Sequence, residues 1–458
     1  MLEHPWSAVY PATRVGTAIA VRYSGPMGDR MITRFSLYGF LKNQQYFEPF
    51  ILLAFLQMGL SFTLIGLLIG IRELLRNLAE IPSGAIADLL GRRKSLLFSF
   101  TCYIVSFVAI GTIGLKLVGT VSTGIVFFAL VVSLAIYALA DAFRSGTHRA
   151  LIFTYLRLQG RTDERTKVYG FTRSWSKMGS AVSVVLACVF VYLADNYVWI
   201  FYFSIFPFVL NMFNVGTYPA ELDGDGRPEN AGMAEIIQHL KQSFALVFGK
   251  ASLRSLIIES MSFEGFFKAT KDFLQPILKA AALPLAALLF ADLTLSETQK
   301  SVILIGPVYF LLFLGSAYMS RRAHQLVDWV GSEDAAAQTM WRILLVLFLG
   351  LVPALYYNIH IAAITGLVML HLLQNVWRPV FMSRIDSHGE EEKGATLLSI
   401  QSQAQSIATM IYAPLLGYCI DAATGVEGRG EFWPIAVGGA LIAFVFVRPT
   451  RLTIKRKD

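Results

Sequence analysis

Apolar residues in this chain fall into runs of about 20, the length of α-helix that crosses a hydrocarbon core, and the runs recur along most of its 458 residues. Nothing constrains the fold more. In lipid every backbone N–H and C=O must be bonded within the protein, which leaves helices or closed barrels, and runs of this length are helical. Hydropathy places twelve spans, centred near Phe47, Arg72, Ile104, Val132, Val184, Phe206, Phe267, Leu311, Phe348, Val368, Ala408 and Ala440. The polar breaks near Arg157 and Gly224 are longer than the rest, and the second lies close to the midpoint, where it reads as a linker between two six-helix halves. Only 15% of the residues are charged, against roughly 25% in soluble domains. The expected architecture is an all-α polytopic membrane protein of twelve transmembrane helices in two pseudo-symmetric six-helix bundles. Its divisions are a tail over 1–34, a first bundle over 35–216, a linker over 217–250, a second bundle over 251–447 and a basic tail over 448–458.

Lys and Arg concentrate in the tails and the even-numbered loops. Positive charge is retained on the cytoplasmic side, so both termini are expected in the cytoplasm and the chain in the inner cell membrane. The same bias accounts for the net charge of +8 without a nucleic-acid partner. Cys102, Cys188 and Cys419 stand alone in apolar runs, which excludes a disulfide framework or a thiolate metal site. No H-x-x-x-H, G-x-x-x-x-G-K-[ST] or G-x-G-x-x-G occurs. No metal, nucleotide or other cofactor is expected, and the chain is read as a monomer.

The sequence also repeats. Gly39-Phe40-Leu41-Lys42 of the first span returns as Gly265-Phe266-Phe267-Lys268 of the seventh, and Phe47-Glu48-Pro49 is echoed by Phe273-Leu274-Gln275-Pro276. Asp141-Ala142-Phe143-Arg144 of the fourth span is answered by Asn375-Val376-Trp377-Arg378 of the tenth. Matches of 1 with 7 and 4 with 10 are what a duplicated bundle requires, and parallel halves of this kind form a substrate site at their interface.

Ionisable groups at bilayer depth are costly and must face protein or water. At about 100° per residue, Arg72, Glu73, Arg76, Asn77 and Glu80 share one face of the second span. Glu264, Lys268, Lys271, Asp272 and Gln275 share one of the seventh; His371, Gln374, Asn375 and Arg378 one of the tenth; Tyr137, Asp141 and Arg144 one of the fourth. Four polar stripes describe a water-filled central cavity. Each charge either pairs structurally or touches substrate or proton, and Glu73 with Arg76, or Glu264 with Lys268, could satisfy each other along one helix. Arg72 and Arg76, one turn apart, require an anion between them: Glu48, Glu80 or a substrate carboxylate. His371 reads as a hydrogen-bonded cavity wall, Gly66-x-x-x-Gly70 as a close helix contact, and Pro49 and Pro276 as matching kinks.

Gly84-Ala85-Ile86-Ala87-Asp88-Leu89-Leu90-Gly91-Arg92-Arg93-Lys94, at the end of the second span, resembles the G-x-x-x-D-x-x-G-R-R/K signature of the major facilitator superfamily. Ser145–Ile152 and Ala395–Ser399 are similar to its bacterial efflux-type members. The resemblance implies that family's fold, alternating access by rocking of the halves, and a cavity lined by spans 1, 4, 7 and 10. It also implies a gating motif of Gly84, Asp88, Gly91, Arg92 and Arg93, in which Gly84 admits span 11, Asp88 caps span 11 near Gly394, and Arg92 joins a charge cluster locking the outward-facing state. The second-half copy, Gly315–Arg322, lacks the aspartate.

The expected function is therefore secondary active transport of a small polar or ionic organic solute, proton-coupled, with no enzymatic activity. The basic excess favours an organic anion or zwitterion. Glu48, Glu73, Asp141 and Asp272 are the candidate proton carriers. Glu48, Arg72, Glu73, Arg76, Asp141, Arg144, Lys268, Lys271, Asp272, Gln275, Asn375 and Arg378 are the candidate substrate or proton ligands. The competing classes are a membrane-embedded enzyme on lipid-like substrates, for which no D-x-x-D or H-x-x-x-H stands at a membrane face, and a sensor on the same fold.

Overall fold

The computed structural model describes residues 29–223, 251–388 and 394–447. Among them nine helical stretches are long and apolar enough to cross a bilayer, and a shorter apolar helix spans Trp433–Val447. Spans 1 and 2 complete the expected twelve. Span 1 is broken into Arg30–Lys42 and Ile51–Gln57, and span 2, Phe62–Leu90, carries the charges noted above. Spans 3 to 6 are Arg92–Thr112, Thr123–Arg144 with Thr147–Leu158, Arg165–Ala194, and Trp199–Phe203 with Ile205–Gly216. Span 7 is Ala251–Thr270 continued by Leu274–Leu289; span 8 is Glu297–Arg321; spans 9 to 12 are Glu333–Tyr356, His360–His388, Gly394–Ala423 and Trp433–Val447. The face on which span 1 begins is called the near face, and the opposite one the far face.

Two boundaries differ from the expectation. Span 1 starts at Arg30, inside the expected tail, because Asp29 caps it: the Met31 N–H donates to the Asp29 carboxylate at 2.9 Å. The same carboxylate accepts from Tyr155 at 3.0 Å and Arg161 at 2.8 Å. Glu164 and then Asp29 hold the Arg161 guanidinium above its ordinary value against partial desolvation. The first bundle therefore includes residues 30–34, and Arg34 donates to the Asn214 carbonyl at 2.6 Å. The long polar break near Arg157 is largely helical, since Thr147–Leu158 buries Leu151, Ile152 and Leu156. Residues 224–250 and 448–458 lie outside the described residues, and with them most of the expected linker and the basic tail.

Glycines set the helix crossings, and they do so twice. Gly39 faces span 5, where a Cβ would stand 2.5 Å from Ser176 Oγ, and its repeat partner Gly265 faces span 11, 2.5 Å from the Ala408 Cβ. The 1–5 and 7–11 crossings are thus the same contact in two copies, as the repeat requires. The Gly66-x-x-x-Gly70 pair does pack a helix closely. A Cβ on Gly66 would overlap the Ala413 carbonyl of span 11, one on Gly70 would lie 3.2 Å from the Met410 carbonyl, and one on Gly417 would overlap the Phe62 carbonyl. Spans 2 and 11 therefore touch backbone to backbone toward the far face, which is where small residues let helices gain van der Waals contact without a hydrophobic drive.

Candidate functional site

The polar stripes of spans 2 and 7 converge on Glu73, whose side chain is 1% exposed. Its Oε1 lies 3.0 Å from Arg72 Nη2; its Oε2 lies 2.6 Å from Lys268 Nζ and 3.7 Å from Arg76 Nη2. Ser406 Oγ of span 11 donates to the same oxygen at 3.1 Å and accepts from Arg76 at 3.3 Å. The anion between Arg72 and Arg76 is therefore Glu73, not Glu48 or Glu80. Residue 73 falls between 72 and 76 on the same helical arc, so the carboxylate reaches both. The local Glu264–Lys268 pair does not form either. Lys268 turns to Glu73, while Glu264 accepts from Gln401 of span 11 at 3.3 Å through one oxygen, the other being buried without a hydrogen-bond partner.

One layer toward the far face, Lys271 stands 3.4 Å from Asp272 and 3.5 Å from Glu48. Gln275 fills the break in span 1. Its Oε1 accepts the Leu52 N–H at 2.8 Å and its Nε2 donates to the Glu48 carbonyl at 2.9 Å, two backbone groups that the unwound segment leaves without helical partners. Pro49 lies in that segment, and Pro276 in the first turn of Leu274–Leu289, where a missing N–H is tolerated. Toward the far face a small pocket is lined by Ile51, Leu52, Phe55, Ile65, Leu68, Ile69 and Leu134, with Arg72 and Asp272 at its polar end.

Span 4 contributes a self-contained cluster. Asp141 accepts from Arg144 Nη2 at 2.8 Å and from the Tyr103 hydroxyl, and Arg144 Nε donates to that hydroxyl at 2.9 Å. Span 10 contributes less than its stripe suggests. Asn375 donates to Ser316 at 3.1 Å and to the His371 carbonyl at 2.8 Å, and His371 is a buried wall residue bonded to the Leu367 carbonyl at 2.8 Å. Among the described residues Lys42, Arg173, Lys177 and Arg378 have no carboxylate within ion-pair distance.

Of the gate, Gly91 makes the turn into span 3 at φ +97°, a region that favours glycine. Asp223 caps that span, accepting the Arg93 N–H at 2.6 Å, and Arg93 Nη1 donates to the Tyr218 carbonyl at 2.8 Å. Arg92 donates to Thr154 at 2.7 Å within its own half. No described atom lies within 4 Å of a Cβ placed on Gly84. The Asp88 side chain and the surroundings of Gly394 lie outside the described residues.

Sequence reasoning missed four participants. Ser406 had no charge to mark it. Arg384, 2% exposed, bridges spans 7, 9 and 10 through Glu259 at 2.9 Å and Asp334 at 2.8 Å, with the Trp341 indole on the same Glu259 oxygen at 2.8 Å. This cluster is a structural bridge within one half. Asp195 and Asp421 end spans 5 and 11 on the far face, and only a repeat search extended to helix ends would have paired them.

The arrangement is a cavity between two six-helix halves, tied by an ion cluster that both halves build. Residues 31–413 match the family model described as Major Facilitator Superfamily. No curated protein matches the chain. Among solved structures it is similar to a mutant of the nucleoside transporter NupG, at 12% identity and a TM-score of 0.72, covering 91% of this chain and 99% of that one. It is similar to a D-xylose-proton symporter at 15% identity and TM-score 0.62, covering 90% and 96%. It is also similar to the xylose transporter XylE from E. coli in an inward open conformation, at 14% identity and TM-score 0.59, covering 92% and 96%. These similarities are of fold, and the family match extends over most of the sequence: the chain belongs to the major facilitator superfamily, a membrane transporter rather than an enzyme.

Proposed function

We propose that the chain carries a small organic anion together with a proton across the cytoplasmic membrane, with its near face and both termini in the cytoplasm, and that it works as a monomer of two bundles. The observation that carries this reading is the Glu73 cluster: one buried carboxylate holds Arg72, Lys268 and, more loosely, Arg76. A substrate anion entering from the near face meets Lys42, Arg173, Lys177 and Arg378, which have no carboxylate of their own. It then competes with Glu73 for Arg72, Arg76 and Lys268. A buried carboxylate stripped of its cations is strongly destabilised, and taking up a proton removes that cost. Anion and proton therefore bind together and leave together, and the cluster that joins spans 2, 7 and 11 loosens only when both are present. Asp141 is the less suited carrier, because its Arg144 partner belongs to its own helix and no exchange across the halves is needed to satisfy it.

Glu73→Gln tests the reading in proteoliposomes carrying a thermal-shift-selected anion. The variant lacks the competitor, so anion binding is retained or tightened. Uptake driven by an imposed pH gradient falls by more than about 100-fold while anion exchange continues, the pattern of a lost coupling group rather than a lost site. Gradient-driven uptake equal to the wild type would remove Glu73 from the coupling role. If the stabilising ligands found in the screen are neutral or cationic, the anion assignment is wrong.

A further inference from the structure

The far face is closed by two helix ends that each half takes from the other. Asp421, in the last turn of span 11, accepts the Phe62 N–H at 2.9 Å, the Thr63 N–H at 2.8 Å and the Thr63 hydroxyl at 2.5 Å. Ser61 already accepts the Leu64 N–H at 3.3 Å, so the first three free donors of span 2 are satisfied only with Asp421 in place. Asp195 ends span 5 and accepts the hydroxyl of Ser296, the residue that caps span 8 and exchanges bonds of 3.1 Å with Gln299. Gln299 Nε2 reaches the Tyr192 carbonyl at 3.2 Å, and Tyr197 donates to Ser301 at 2.7 Å, across the same seam.

Neither aspartate suits its own helix. A carboxylate at a C-terminus opposes the macrodipole, and Asp195 is held at φ +51°, uncommon for a residue with a side chain. Both become favourable against the N-terminus of a helix in the other half. The two also stand at the same sequence offset that relates Gly39 to Gly265 and Lys42 to Lys268. The contact was duplicated with the bundle.

We propose that Asp195 and Asp421 are a matched pair of latches that hold the far face shut, and that opening this face requires both to leave their partner helices. The residues and the face differ from those of the Asp88 gate. The two latches are unequal, since Asp421 accepts three bonds and Asp195 one.

The test uses the full chain in nanodiscs, with its three cysteines changed to alanine and spin labels placed in pairs. Ser122→Cys with Asp292→Cys reports the far face across the halves; Gln159→Cys with Trp329→Cys reports the near face. Asp421→Ala should raise the population with a lengthened far-face distance about fivefold, the effect of losing one such cap. The near-face distance should shorten in the same fraction of molecules. Asp195→Ala should do less, and the double variant about the product of the two. Asp421→Asn should fall between the parent and Asp421→Ala, because its one carbonyl oxygen can take the place of only one of the two carboxylate oxygens that accept the Phe62 and Thr63 N–H groups. Unchanged far-face distances in the double alanine variant overturn the proposal. So does broadening of both label pairs together, which is loss of fold rather than opening.

Discussion

Span 1 breaks where span 7 bends. Both carry glycine, phenylalanine and lysine at matching positions, and both glycines seat a neighbouring helix at 2.5 Å from a notional Cβ. Past the lysine they part. Span 7 crosses its kink with one turn of 3-10 helix, Lys271–Phe273, and continues. In span 1, Asn43 Nδ2 takes the Gly39 carbonyl at 2.7 Å, and helix does not resume until Ile51. The lysines part as well: Lys268 meets Glu73 at 2.6 Å, while Lys42 has no carboxylate partner among the described residues. Duplication has set where the two spans cross their neighbours. Single residues that the two copies do not share decide what each does there: Gln275, which mends the break in span 1, and Glu73, which claims the lysine of span 7.

The largest expected effect comes from removing that mend. Gln275→Leu fills the same space but leaves the Leu52 N–H and the Glu48 carbonyl buried without their partner, at about 1–3 kcal/mol each. Thermal unfolding of the purified protein should drop accordingly, whereas Gln275→Glu should recover only the bond from Leu52. An unchanged midpoint in Gln275→Leu would mean that the broken span is satisfied by water and that spans 1 and 7 are not coupled through this residue.

How far the sequence foretold these sites follows from what kind of signal each gives. Spans, pairing of the halves and the polar stripes were legible, because apolar length, repetition and helical phase are all properties of one segment at a time. The Gly66–Gly70 contact was legible for the same reason. Partner choice was not. Phase alone put Glu264 within reach of Lys268, yet Glu73 of another helix took that lysine, and the interhelical distance that decides the contest is a property of packing. Ser406 acts through hydrogen bonds, which leave no trace in hydropathy, and helical phase put Gln275 on the polar face of span 7 without showing that it bonds the break in span 1. The boundary of span 1 was misplaced because Asp29, beside Arg30 in a charged stretch, looked like tail rather than cap.

A middle-sized effect separates the two lysines. Lys268→Met removes a 2.6 Å charge-assisted bond from a carboxylate that is 1% exposed, leaving it Arg72, Arg76 and Ser406. The expected loss of stability is about 1.5–3 kcal/mol. The double variant Lys268→Met with Glu73→Gln should not recover it, since Arg72 and Arg76 then lose the carboxylate that both hold. A thermal midpoint for Lys268→Met equal to the parent would place Glu73 in water rather than in an ion cluster.

The smallest effect on stability belongs to Lys42→Met, and there the comparison is sharpest. Lys42 is partly buried, has no carboxylate within ion-pair distance among the described residues, and has the Arg144 guanidinium, the Asp141 carboxylate and the Arg173 guanidinium as charged neighbours. Removing its charge relieves repulsion and exposes no anion, so the empty protein should be as stable as the parent or slightly more so, by less than about 1 kcal/mol. Affinity should move the other way. If the unpartnered cations are where an entering anion first rests, Lys42→Met should weaken anion binding about fivefold or more, the worth of one charge-assisted contact. It should also lessen the dependence of that binding on salt. Equal stability with weaker binding makes Lys42 the substrate-facing copy of a lysine whose twin is committed to Glu73. Lost stability with unchanged binding would reverse the assignment, giving Lys42 a structural role and leaving the anion to Arg173, Lys177 and Arg378 alone.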